Sequence, residues 1–284
     1  MKVNEKVIVI TGGGNGIGRE LVLTLLKRGA RVAAVDISEK ALQETAELAS
    51  SYPDQLSTHV VNIADRQAVE ALPQAVISAH QHVDGLINCA GIIQKFVKFN
   101  DLPFSEIERM IDVNFYGTVN MTKAFLPHLL NRPEGHVVNI SSMGGFLPVP
   151  GQTMYGASKA AVKLFTEGLY AELMGSNVHV TIVFPGAIQT NIASNSGARI
   201  PSGDTAQSSS IKMTLPRTAA EMIVDGIEKN SFRVLVGSDA KMMDFLYRLM
   251  PKRAVKMIAD RMGALLKGHP ERPSGSTHPA AAEN

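Results

Sequence analysis

Val7-Ile8-Val9-Ile10-Thr11-Gly12-Gly13-Gly14-Asn15-Gly16-Ile17-Gly18 is the stretch on which the reading of this chain turns. Its four consecutive β-branched apolar residues show no polar alternation, so they suit a strand buried on both faces. The glycines that follow permit a tight turn and let backbone N–H groups approach an anion. A helix expected from Gly16 adds the positive end of its dipole. Strand, glycine turn and helix N-terminus in that order form a cradle for a dinucleotide pyrophosphate. The end of the next strand adds a second clue, because Val32-Ala33-Ala34-Val35 runs into Asp36. A carboxylate there accepts hydrogen bonds from a ribose 2′-OH and repels a 2′-phosphate. Ile37 follows rather than a cation, and Ser38 is the better cap for the next helix. NAD is therefore favoured over NADP as the expected cofactor.

Outward from that turn, short apolar runs at 6–11, 31–36, 57–62, 84–88, 136–141, 178–184 and 233–236 alternate with helical periodicity. The helical stretches fall at 16–28, 39–50, 66–80, 104–130, 154–174 and 218–230. Buried strands joined by helix-length crossovers predict an α/β fold, a doubly wound parallel sheet of about seven strands with helices on both faces. Pro73 inside the third helix is expected to kink it or move its start. The chain of 284 residues is 45% hydrophobic, enough for one large catalytic domain over 1–240. A net charge of +2 gives no electrostatic reason to expect a nucleic-acid partner. The single cysteine, Cys89, forms no intramolecular disulfide and is compatible with a reducing compartment. Residues 191–214, rich in Ser and Gly just past a strand end, suit a lid, and 268–284 read as a disordered tail.

Tyr155 and Lys159 are four apart in an expected helix, so they share a face. An ammonium beside a phenol favours the phenolate, which is the adjustment a tyrosine needs to exchange protons near neutrality. Thirteen residues earlier, Ser141 and Ser142 close the fifth strand. Parallel sheets bind ligands outside the carboxyl ends of their strands, so a serine hydroxyl and the Tyr/Lys pair converge on one substrate oxygen.

With these residues on the page, the chain resembles the short-chain dehydrogenase/reductase family in its one-domain, Rossmann-type form, over roughly residues 5–238. The resemblance rests on Thr11-Gly12-x-x-x-Gly16-x-Gly18, Asn88-Cys89-Ala90-Gly91, Asn114, Ser142, Tyr155-x-x-x-Lys159, and Pro185-Gly186 with Thr190, in the family's order. It implies that Tyr155 is the acid/base, that Ser142 orients the reacting oxygen, and that Lys159 lowers the phenol pKa and binds the nicotinamide ribose. Asn114 is implied to hold a water leading from Lys159, while Ser141 serves structure. The implied cofactor-binding set is Gly12, Asn15, Gly16, Ile17, Gly18, Asp36, Asn62, Ile63, Asn88, Ala90, Gly91, Tyr155, Lys159, Pro185, Gly186, Ile188 and Thr190. Two positions depart from the family pattern. Asn62 stands where an aspartate is common, and Cys89 stands for the second asparagine of Asn-Asn-Ala-Gly. With no His or Lys beside it in sequence, Cys89 reads as a small core filler.

Ser142, Met143, Gly144, Phe146 and Met154 are the expected substrate residues, and no Arg, Lys or His lies between Ser141 and Tyr155. Such a lining suits a hydrophobic secondary alcohol or ketone. Arg199 or Lys212 of the lid is the available exception. Beyond 240, Met242, Phe245, Leu246 and Leu249 are expected on one helical face, and 241–267 holds seven basic residues against two acidic ones. This amphipathic extension could pack on its own domain, meet a second subunit, cover the pocket, or touch an anionic membrane peripherally. A cytoplasmic homodimer or homotetramer joined through 104–130 and 154–174 is what the resemblance implies. No metal-ligand spacing stands out among the histidines. The competing readings are an NADPH-dependent carbonyl or 3-oxoacyl reductase and a non-catalytic NAD-binding redox sensor. Asp36 opposes the first, and the full Asn114, Ser142, Tyr155, Lys159 set opposes the second.

Overall fold

The computed structural model describes residues 1–198 and 213–262. Seven strands, β1 (Val7–Thr11), β2 (Arg31–Asp36), β3 (Leu56–Val60), β4 (Gly85–Asn88), β5 (Gly135–Ile140), β6 (Val178–Pro185) and β7 (Arg233–Val236), form one sheet. Their order is β3-β2-β1-β4-β5-β6-β7, and every pairing is parallel. The order reverses between β1 and β4, so a crevice opens outside their carboxyl ends, where Thr11 pairs with Asn88.

The crossovers are α1 (Gly16–Lys27), α2 (Glu39–Leu48), α3 (Arg66–His80), α4 (Phe104–Ile111), α5 (Gly117–Leu130), α6 (Thr153–Glu172), a single turn α7 (Ile192–Asn195), and α8 (Pro216–Glu228). On one face of the sheet Leu21, Val22 and Leu25 of α1 and Ile223, Val224 and Ile227 of α8 bury against Ile8, Ile10 and Val32. On the other face Leu72 of α3, Met121 and Phe125 of α5 and Leu169 of α6 bury against Val7, Val9 and Val137. Strand residues alternate between these two cores, which is why the sequence runs show no polar period.

One expectation is corrected and one narrowed. The helix expected over 104–130 is interrupted by a π-helical segment, Asp112–Tyr116, which holds Asn114. A wider turn of this kind is a frequent mark of a functional position. Pro73 does not move the start of α3, which stays at Arg66 because Asp65 caps the N–H groups of Gln67 and Ala68. Met242, Phe245, Leu246 and Leu249 share one side of their helix, as their spacing implies. In α9 (Ser238–Leu249) it is Ala240 and Met243 that are buried. Leu246 and Tyr247 lie half-buried against Leu147 and Ala254, the latter in α10 (Pro251–Met262). Met242, Phe245 and Leu249 form an exposed ridge. α9 docks on Leu147 and its neighbours through Met243, Tyr247 and the Leu246 edge of the apolar face, and leaves the rest of that face outward. The 268–284 tail, and residues 199–212 of the expected lid with Arg199 and Lys212, lie outside the described residues.

A chain of buried amides links the middle of the sheet to its helices. Asn88 of β4 donates to Thr122 of α5 at 3.1 Å and to Asn139 of β5 at 2.8 Å. Asn139 in turn donates to Thr166 of α6 at 2.9 Å. These bonds set α5 and α6 against β4 and β5 close to the crevice.

Candidate active site

The turn after β1 is built as its glycines require. Gly12 and Gly16 take φ of +73° and +53°, conformations in which a side chain would be strained. A Cβ at Gly18 would fall on the Gly12 carbonyl, so only glycine lets α1 begin this close to the turn. Asn15 caps α1 through the Gly16 N–H at 2.7 Å. Thr11 Oγ1 accepts the N–H groups of Cys89 and Ala90 at 3.0 and 3.1 Å, fastening the ends of β1 and β4 together. Asp36 leaves the capping of α2 to Ser38, which accepts from Ala41 at 3.3 Å. Its own carboxylate is held by the Gly14 N–H and the Ser38 N–H, both at 3.0 Å.

A cleft of about 900 Å³ runs from this turn across the sheet end. Of the expected cofactor residues, Gly12, Asn15, Gly16, Ile17, Gly18, Asp36, Asn62, Ile63, Ala90, Gly91, Tyr155, Lys159, Pro185, Gly186, Ile188 and Thr190 all line it. Asn88 does not. It is buried and spends its amide on Thr122 and Asn139, so it braces the site from behind. Asn62 keeps its Oδ1 on the Ala64 N–H at 3.1 Å, which leaves its amide N–H groups for an adenine edge. The turn, the exposed start of α1 and the carboxylate at the far end of one continuous cleft fit a dinucleotide.

At the other end Ser142, Tyr155 and Lys159 meet. The Ser142 hydroxyl lies close enough to the Tyr155 phenol to influence its ionisation, and accepts the Gly144 N–H at 3.0 Å. Ser141 turns away and donates to the Lys159 carbonyl at 2.8 Å. Lys159 is only 4% exposed, and its Nζ donates to the Ile140 carbonyl at 3.0 Å. Asn114 is fully buried in its π turn. It accepts the Ile92 N–H at 2.8 Å and donates to the Ile92 carbonyl and to Ser158 Oγ, both at 3.0 Å.

The expected depression of the phenol pKa by Lys159 is not seen. Burial pushes Tyr155 above its ordinary value, with the Ser142 hydroxyl acting in the opposite sense. The same burial lowers Lys159 to about 8, although Cys89 beside it acts the other way. Cys89 is half-buried and lines the cleft near Lys159, so it is a wall residue and not the core filler expected; its pKa is nevertheless pushed up to about 12 by desolvation, and the thiol stays protonated.

These shifts set two expectations. A phenol held above its ordinary value is protonated throughout the neutral range, so carbonyl reduction has its proton available. Alcohol oxidation needs the phenolate, so its kcat/KM climbs with pH and shows no plateau below pH about 9. A pH profile already flat at neutrality would refute this. For Lys159 the folded pKa of about 8 lies below the unfolded value of 10.5, so the fold pays to bury a charge at neutral pH. That cost is complete below pH 8 and disappears as pH rises from 8 to 10.5. Lys159→Met should therefore raise Tm at pH 7 by a few degrees, from an effect on the order of 1–3 kcal/mol. The gain should shrink towards pH 10 while turnover is lost, and a lower Tm at pH 7 would contradict the argument.

The expected substrate residues do not all converge. Phe146 turns into the core, with its ring 5.4 Å from Phe184 and 6.4 Å from Tyr247. Met143 packs with Leu147 and Met243. Gly144 and Phe146 line a separate cavity of about 430 Å³ beside α10. Met154 lines neither of these two cavities. The cleft wall around Ser142 and Tyr155 is instead supplied by Ile92, Ile188, Asn191, Ile192 and Asn195. Of these, Ile188 was expected by name and Asn191, Ile192 and Asn195 as part of the 191–214 lid; Ile92 was missed, and its position directly after Gly91 was the available signal. Also unforeseen was Asp239 of α9, which accepts the Ala187 N–H at 2.7 Å and steadies the Pro185–Ala187 turn.

The model of the short chain dehydrogenase family matches residues 6–200. SadH of Mycobacterium tuberculosis (strain H37Rv), an oxidoreductase by name, is 40% identical over 262 residues, covering 89% of this chain and 94% of that protein. A short-chain dehydrogenase/reductase from Burkholderia phymatum, solved with NAD, superposes with a TM-score of 0.78 at 23% identity, covering 88% of this chain and 96% of that one. One from Burkholderia cenocepacia, solved with NADP, gives 0.76 at 24% identity over 91% and 99% of the two chains. The chain belongs to the short-chain dehydrogenase family, and is an oxidoreductase of that type with a Rossmann-type nucleotide-binding fold.

Proposed function

We propose that this protein interconverts a hydrophobic secondary alcohol and its ketone with NAD(H), using Tyr155 as the acid/base. The observation that carries the reading is the meeting of Ser142, Tyr155 and buried Lys159 at one end of a cleft whose other end is closed by Asp36. The nicotinamide, when bound, supplies or accepts the hydride. Everything else falls to the chain. Gly12, Gly16 and the start of α1 receive the pyrophosphate, and Asp36 accepts from the adenosine ribose. Ser142 holds the substrate oxygen against the Tyr155 phenol, which gives its proton to a carbonyl or takes one from an alcohol. Lys159, fixed through Ile140, adds positive charge beneath the phenol and the nicotinamide ribose. Ile92, Ile188 and Ile192 favour an apolar substrate body.

A homodimer or homotetramer through α4–α5 and α6 belongs to the same reading, because Phe104 of α4, Tyr116 of the π segment, Leu164 of α6 and Met174 just past its end stand exposed. The decisive experiment is an NAD⁺-reduction screen over secondary alcohols graded by size and polarity, run in parallel with NADP⁺. Turnover of bulky apolar alcohols with NAD⁺ is the expected result. Activity confined to small polar alcohols, or to NADP⁺, would overturn the substrate or cofactor assignment.

A further inference from the structure

The helix that carries Tyr155 and Lys159 lacks a cap of its own. Gln152, at the N-cap of α6, makes no side-chain capping bond. A helix start leaves its first N–H groups orphaned, and burying them unpaired is costly. Here they are satisfied from another part of the chain. Gln94, in the loop after β4, has no solvent exposure. Its Oε1 accepts the N–H groups of Met154 at 2.8 Å and Tyr155 at 3.0 Å. Its Nε2 donates to the Gly151 carbonyl at 2.8 Å, and its own carbonyl accepts from Gln152 Nε2 at 2.8 Å. The amide orientation is determined by its partners, since two donors face the oxygen and one acceptor faces the nitrogen.

The same short loop reaches the rest of the site. Ile92 is bound through both backbone atoms to Asn114, and the Ile93 N–H donates to Ser196 at 3.0 Å, just past α7. Four residues, Gly91 to Gln94, thus join the cleft floor, the π turn, the wall at α7 and the first turn of α6. Tyr155 is the third residue of that helix and one of the two whose N–H groups Gln94 holds. A roll of 10° in a helix whose side chains reach ~6 Å from its axis moves those side chains by about 1 Å. A displacement of ~1 Å at reacting atoms can cost a hundredfold in rate.

The geometry points to Gln94 as the positioning residue of the active site, a cap borrowed from the β4 loop that fixes where the Tyr155 hydroxyl stands relative to Ser142. This rests on the acid/base reading of Tyr155 given above. Gln94 touches no substrate and acts through the helix alone.

The test pairs Gln94→Met, which keeps length but loses all three side-chain bonds, with Gln94→Glu, which keeps an oxygen for the two N–H groups. In Gln94→Met, kcat should fall roughly 10–100-fold while NADH affinity stays within about twofold. Gln94→Glu should recover most of that loss, and its added negative charge should move the Tyr155 titration upward by at least about half a pH unit. That titration is followed by carbon-13 NMR of labelled tyrosine, with Tyr155 assigned by its absence in Tyr155→Phe, and needs no substrate. In Gln94→Met the Tyr155 resonance should shift, and the amides of Met154 and Tyr155 should lose hydrogen-exchange protection while Leu169, further along α6, keeps its own.

The inference is overturned if Gln94→Met keeps kcat within about twofold of the wild type. It is equally overturned if kcat and NADH binding fall together with the Tyr155 resonance unmoved, which is what a merely structural residue would do. Should Gln94→Met not fold, an unchanged Tyr155 titration in Gln94→Glu overturns it. If the wild type turns over no alcohol or ketone, the functional reading fails on its own, and the resonance and exchange data still decide the role of Gln94.

Discussion

Tyr155→Phe should lose about 10³-fold in turnover, within the 10²–10⁴ range that a positioned acid/base contributes. It should still bind NADH with an affinity within about twofold of the wild type. Only a hydroxyl is removed. The ring keeps its volume, the Gly144 N–H keeps its acceptor on Ser142 at 3.0 Å, and the half-buried Ser142 hydroxyl stays open to the cleft, where water can take its O–H. The variant therefore isolates proton transfer from binding and folding. It also separates an enzyme from a redox sensor, because a sensor needs only the dinucleotide half of the cleft and would keep its function. Steady-state kinetics with NADH fluorescence titration checks both limbs. Wild-type turnover in the phenylalanine variant would end the acid/base assignment.

Asp36→Ala should exchange the cofactor preference. The carboxylate now occupies two backbone donors, the N–H groups of Gly14 and Ser38, each at 3.0 Å. Removing it takes away the acceptor for a ribose hydroxyl and the charge that repels a phosphate. It also frees those two N–H groups, next to the start of α2, to receive an anion. Arg19 lies nearby but is committed to the Gly14 carbonyl at 2.6 Å and to Glu44 at 2.7 Å, so the freed N–H groups carry the gain. The expected result is a loss of ~10–100-fold in kcat/KM with NAD⁺ and a gain of ~10-fold or more with NADP⁺, a selectivity change of 10²–10³. Equal losses with both cofactors would mean that Asp36 supports the turn and does not read the ribose.

The sheet was readable because buried parallel strands carry an unbroken apolar signal. All seven strands and the crossover helices α1, α2, α3, α6 and α8 lie within two residues of where the runs and periods place them. The cradle residues were readable for a related reason, since Gly12, Gly16 and Gly18 answer to local backbone geometry. What stayed hidden depends on contacts between segments far apart in sequence. The insertion that makes the π turn at Asn114 leaves no trace in a 3.6-residue period. Asn88 looked like a cleft residue from its motif, but its partners Thr122 and Asn139 lie 34 and 51 residues away. Tyr155 next to Lys159 suggested an acidified phenol, yet burial raises it and Ser142, not Lys159, acts against that rise, and burial is not a property of spacing. Which side of α9 turns inward was open in the sequence for the same reason, because Leu147 and its neighbours select it.

The paired asparagines of β4 and β5 carry a consequence for how sequences of this fold can diverge. Asn88 and Asn139 sit opposite one another in the sheet and share a single amide contact of 2.8 Å in the interior. Replacing Asn88 with an aliphatic residue leaves the Asn139 Oδ1 without its donor, and replacing Asn139 unpairs an Asn88 amide N–H, each at about 1–3 kcal/mol, whereas replacing both with apolar groups of matching shape is nearly neutral. Drift at either position is thus coupled to its opposite, and the two are expected to be inherited as a unit, retained together or exchanged together, with mixed pairs rare.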